Sequence, residues 1–105
     1  MLYPESIKNN VHAQAFYGVL SAIFDSDEDV SIEADIIAEI SIEVTKIIEK
    51  HSRVDWTNNK TIHDRISQDI DDLFYMYEQE QGLIVSFDTV DKVIENVKTV
   101  ALRRF

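Results

Sequence analysis

Six aliphatic residues, Ile36, Ile37, Ile40, Val44, Ile47 and Ile48, recur at spacings of one, three and four. That register lays side chains along one stripe of a 3.6-residue helix, whereas a half-buried strand would need strict alternation. The flanks agree. Ser31 is placed to act as an N-cap, Glu33 and Asp35 put negative charge where the helix dipole favours it, and Lys46 and Lys50 put positive charge near the other end. The stripe therefore predicts a helix from Ser31 to His51. Similar patterns occur three more times. Pro4 suits a first helical turn, and Ile7, Val11, Phe16, Leu20 and Ile23 carry a helix or helical pair to about Phe24. Ile62, Ile66, Ile70, Leu73, Phe74 and Tyr77 share one face of a third helix, which Gly82 can stop because glycine accepts the left-handed conformation. Val90, Val93, Ile94, Val97 and Ala101 stripe a fourth, with Asp88 as its expected cap and Arg103-Arg104 at its C-terminal end. Two glycines and one proline in 105 residues leave few places to turn. The expected fold is all-α, an irregular bundle of four principal helices in a single domain spanning residues 1–105. β-Branched residues dominate the stripes and lower helix propensity, so these helices depend on packing against one another.

Charge narrows the function. Ten Lys and Arg against twenty Asp and Glu give a net charge of −10 and a pI near 4.5. A field of that sign repels a phosphate backbone, so the domain by itself is not expected to bind nucleic acid. There is no cysteine, hence no disulfide, thiolate metal site or thiol nucleophile. No apolar run reaches the ~20 residues that cross a bilayer, and the first eight residues lack a secretory pattern. The expectation is a soluble cytoplasmic protein with no membrane association.

The chemistry-bearing residues do not assemble into motifs. Asp25, Asp27 and Asp29 have the alternate spacing that opens a calcium loop, but Val30 stands where that loop turns on glycine and Ile36 where it needs a bidentate glutamate. This stretch reads as a solvated acidic loop. His12, His51 and His63 fall on different segments, and none pairs at the i, i+4 spacing of a zinc helix. Asp71 and Asp72 are adjacent on a helix, where side chains diverge by about a hundred degrees, so they do not share one substrate. Neither Gly18 nor Gly82 flanks a nucleophilic serine, and two scattered glycines cannot build a phosphate cradle. Phe74, Tyr75 and Tyr77 read as core and core-edge residues. No catalytic, cofactor-binding or metal-binding residue is expected.

One junction stands out. Val54-Asp55-Trp56-Thr57-Asn58-Asn59 holds the only tryptophan at a corner between two helical patterns. A large aromatic there anchors helices against one another, or presents a surface to a partner. Asp55, Trp56 and Thr57 are the candidate interaction or anchor residues, with the choice between core and interface open.

The same corner begins an ordered set of residues: Val54-Asp55-Trp56-Thr57, then Ile62, Arg65 and Ile66, then Asp69-Ile70-Asp71-Asp72-Leu73 with Tyr75, then Gly82-Leu83, Phe87 to Glu95 and the basic Arg103-Arg104 ending. In this order the chain resembles the C-terminal helical region of the R subunit of type I restriction enzymes, and Asn9 to Leu20 are similar to its preceding helix. The resemblance implies a C-terminal piece of a much larger chain whose ATP- and Mg-dependent DNA translocase and endonuclease domains lie upstream. The family's catalytic residues map onto no position here, so no cofactor is expected in this fragment, and the implied parent is a type I site-specific deoxyribonuclease. The implied partners are the methyltransferase and specificity subunits, with DNA reached through the parent complex. Where many relatives carry Lys and Arg after the Asp-Trp corner, this chain has Gln68, Asp69, Asp71 and Asp72, which favours a protein partner over DNA. The alternatives are another helical interaction module or an acidic DNA mimic. Eight acids and no base lie between Asp25 and Glu43, and Asp35, Glu39 and Glu43 line one helix face.

Overall fold

The computed structural model describes residues 2–53 and 55–105. Val54, the first residue of the corner motif, lies outside the described residues. Four helices form, with no strand among the described residues: α1 (Val11–Asp25), α2 (Ala34–His51), α3 (Lys60–Gln81) and α4 (Phe87–Arg104). Short 3-10 turns at Glu5–Ile7 and Trp56–Asn58 precede α1 and α3. The main contacts join α1 to α2, α2 to α3, α3 to α4 and α4 back to α1, so the helices form a closed ring around one core. A radius of gyration of 13.1 Å is that of a well-packed chain of about this length.

The first helical pattern divides in two. After the Pro4-led turn the chain breaks, and Asn10 restarts it by adopting an extended backbone and accepting from the Ala13 N–H at 3.0 Å. Gln14 bridges the break, donating through Nε2 to the carbonyls of Ile7 at 3.0 Å and Lys8 at 2.8 Å. Val11 was expected in the apolar stripe but is exposed, because it is the first residue of α1 and overhangs the bundle. The acidic loop is longer than expected. Ser31 does not cap α2, which begins at Ala34 behind Glu33. The cause is packing: Val30 and Ile32 are half-buried against the core and hold this segment extended. Asp88 likewise gives way to Ser86, whose hydroxyl accepts from the Thr89 N–H at 3.3 Å, leaving Asp88 in the first turn of α4. Asn59 caps α3 through the Ile62 N–H at 3.3 Å.

Most of the other stripe residues are buried, with Ile36, Ile47 and Ile62 half-buried at the edge. Ile37, Ile40, Val44 and Ile48 of α2, Ile66, Ile70, Leu73, Phe74 and Tyr77 of α3, and Val90, Val93, Ile94, Val97 and Ala101 of α4 join Phe16 and Leu20 of α1 in one cluster. Ser41 and Thr45 are also buried, each donating its hydroxyl to the carbonyl four residues back, at 2.7 and 2.8 Å.

Gly82 ends α3 with φ +67°, its N–H bonded to the Glu78 carbonyl at 3.0 Å. A methyl group added there meets nothing within 4 Å, so Gly82→Ala carries only the backbone cost of the left-handed region. A loss of about 1 kcal/mol in urea denaturation is expected.

Candidate interaction surface

The corner resolves into an anchor. Asp55 is the only non-glycine residue among those described with positive φ, at 64°, a conformation that aspartate tolerates better than most. The reversal turns Trp56 inward, where it is 3% exposed and stacks on His63 at 5.5 Å between ring centroids. His63 is held in turn, its Nε2–H donating to the Thr57 carbonyl at 3.0 Å. Asp55 and Thr57 are exposed and shape the corner through their backbones. Of the three candidate residues, Trp56 belongs to the core, and its indole N–H has no hydrogen-bond partner among the described residues.

The scattered polar groups have structural partners. Asp27 of the acidic loop accepts from the Thr89 hydroxyl at the start of α4 and from the Asp29 N–H, and these bonds, with Lys92 nearby, hold its carboxyl below its ordinary value of 3.8. His51 meets Asp69 across α2 and α3 at 2.7 Å, with Lys50 at 3.5 Å from the same carboxylate. His12 accepts from Arg104 at 3.2 Å. Among the described residues no three His, Asp or Glu side chains converge as a metal-ligand set. No helix among them is long and apolar enough to cross a membrane.

The Asp27 contact has a pH signature. Because its folded-state pKa is depressed, its stabilisation is present above the unfolded value and is lost as pH falls through the folded value. Asp27→Asn is therefore expected to lower stability most at neutral pH, where the contact is fully in force, and progressively less as pH falls below 3.8, so that the acid limb of the stability curve flattens, measured by thermal melts across pH.

A stretch of exposed apolar surface lies elsewhere, between the second half of α3 and the start of α4. There Phe87 is 86% exposed, Ile84 72% and Tyr75 64%. Tyr75 corrects the core-edge expectation: it sits one residue past Phe74, off the buried face. Phe87 is the more informative of the three. It stands three residues before Val90 and seven before Ile94, in register with the buried face of α4, yet it is exposed. The apolar face of α4 thus continues onto the exposed surface. A groove of about 470 Å³ runs here, walled by Tyr75, Leu83, Val85 and Phe87 and rimmed by Asp71, Asp72 and Glu78. Partial desolvation of its carboxyl raises Asp71 above the ordinary aspartate value, and the carboxylates of Asp91 and Asp72 push the same way. Burial of an exposed aromatic or large aliphatic side chain is worth roughly 1.5–3 kcal/mol, so this surface holds apolar driving force that the fold leaves unused.

The sequence signal for Phe87 was its helical register with Val90 and Ile94; what register cannot tell is where the neighbouring helices stop. Comparison with protein-family models, with curated proteins and with solved structures found no match.

Proposed function

We propose that this chain is a helical docking domain, and that it serves the assembly of a type I restriction enzyme, joining a translocase–endonuclease R subunit to its methyltransferase–specificity core in the cytoplasm. One structural observation supports the docking role: Phe87 lies on the apolar register of α4 yet is 86% exposed, with Tyr75 and Ile84 also exposed on the neighbouring segments. The choice of system comes from the ordered resemblance that runs from Asp55-Trp56-Thr57 to Arg103-Arg104. On this reading ATP, Mg and DNA belong to the parent enzyme, and this domain contributes a surface.

The acidic DNA-mimic reading is favoured by Asp35, Glu39 and Glu43 along α2; burial raises the Tyr77 hydroxyl above its ordinary value, and the charges of Glu39, Glu43 and Glu80 add to the effect. Bases border that band at its Glu43 end, however. Lys46 pairs with Glu43 at 3.2 Å, and Lys50 and His51 occupy Asp69. A phosphate ladder has no such cations.

Pull-down by the methyltransferase–specificity core tests the assignment. The whole domain is expected to be retained at low and moderate salt, and a Tyr75→Ser/Phe87→Ser variant is expected to lose about tenfold or more in affinity while its thermal stability is unchanged. Failure of the unmodified domain to bind at either salt counts against the restriction-assembly role.

A further inference from the structure

We propose that the groove between α3 and the start of α4 receives a cationic amphipathic helix from a partner protein, its apolar side chains seated between Tyr75 and Phe87 and its Lys or Arg side chains set against Asp71, Asp72 and Glu78. This rests on the docking reading and specifies the chemistry of what docks. The groove has an apolar floor, and each charged residue in its lining is acidic: three carboxylates and no Lys or Arg among the described residues. Asp91, on the facing helix, adds a fourth negative charge close enough to act on Asp71. An apolar trough with a single-sign rim is the complement of a helix that has apolar residues at i, i+3 and i+4 and cations on either side.

Charge also ranks the other occupants. A second copy of this chain would bring another net −10 and the same carboxylates to the contact. Nucleic acid and anionic lipid have the same disadvantage. Partial desolvation, and after it repulsion from Asp91 and Asp72, holds the Asp71 proton more tightly, and a cation lying over Asp71 would offset the repulsion. Association should therefore be steered by charge, weaken with salt, and weaken again as the carboxylates protonate.

The probe is a synthetic Leu/Lys peptide of about 18 residues, roughly five helical turns, with leucines at helical spacing. A scrambled peptide of the same composition and a Leu/Glu counterpart serve as controls, each titrated into the isotope-labelled full chain and followed by amide chemical shifts. The amphipathic Leu/Lys peptide is expected to bind with its shifts concentrated between Asp71 and Asp91. Phe87→Ser should weaken it about tenfold or more. An Asp71→Asn/Asp72→Asn/Glu78→Gln variant should both weaken it and flatten its salt dependence. Because all four substituted side chains are exposed, unchanged circular dichroism separates lost binding from lost folding. The proposal is overturned if the scrambled peptide binds as tightly, if shifts instead follow Asp35, Glu39 and Glu43 on α2, or if Phe87→Ser has no effect. Equal binding of the Leu/Glu peptide in the groove removes the cationic partner and leaves the docking role standing. Binding by none of the peptides also removes it, while retention by the methyltransferase–specificity core still judges the docking role. Sedimentation showing a dimer that Phe87→Ser dissolves would make a second copy the occupant.

Discussion

Trp56→Ala is expected to destabilise the domain by about 3–5 kcal/mol in equilibrium urea denaturation, the range for removing a buried large aromatic. The side chain is 3% exposed and is aimed into the core by the positive-φ backbone of Asp55. Its removal leaves a cavity and deprives His63 of the ring it stacks on. Against a total stability of about 5–15 kcal/mol for a domain, such a loss is severe. Trp56→Phe should cost much less. It keeps most of the apolar volume and discards an indole N–H that has no hydrogen-bond partner to lose. The two substitutions also separate an anchor from an interface. Any loss of partner binding in Trp56→Ala should track the unfolded fraction and disappear at temperatures where the variant is folded. A folded Trp56→Ala protein that still failed to bind would place the ring at the interface instead.

Phe16→Ala is expected to cost about as much, about 3–5 kcal/mol. Phe16 is fully buried in α1, the helix that closes the ring by touching both α2 and α4. It also stacks on Phe105 at 6.4 Å between centroids, which ties the end of α4 to the start of the chain. Arg104 adds a second tie, donating to the Val11 carbonyl at 3.3 Å. A double-mutant cycle of Phe16→Ala with Phe105→Ala should show positive coupling of about 0.5–1.5 kcal/mol, the usual worth of an aromatic pair beyond area burial. Additive losses would mean that the two rings are merely adjacent.

The helices were legible because their determinants are local. Three- and four-residue spacing set the faces of α2, α3 and α4, and Gly82 alone was enough to end α3. The starts were less legible, since capping is decided by tertiary packing as well as by residue type. Ser31 has the chemistry of a cap, but Val30 and Ile32 beside it are worth more buried than helical, and the helix waits until Ala34. Ser86 and Asp88 are both good caps two residues apart, and Ser86 took the position while Thr89 was drawn to Asp27 on a loop more than sixty residues away in the chain. No local pattern contains that contact. The surface followed the same logic. Trp56 was singled out because it is unique and large, properties that suit a core as well as an interface, and only the Asp55 backbone decides between them. Phe87 was not among the residues expected in the stripe of α4, although its register is that of Val90 and Ile94. Its exposure follows from where the bundle ends, which is a property of all four helices together.

That exposure is the centre of the functional account, and hydrogen–deuterium exchange of the domain, free and bound to the methyltransferase–specificity core, measures it directly. Slowed exchange confined to the second half of α3, the turn after Gly82 and the first turns of α4 is the predicted result. Protection centred instead on Asp35, Glu39 and Glu43 of α2, or no protection anywhere, would contradict it.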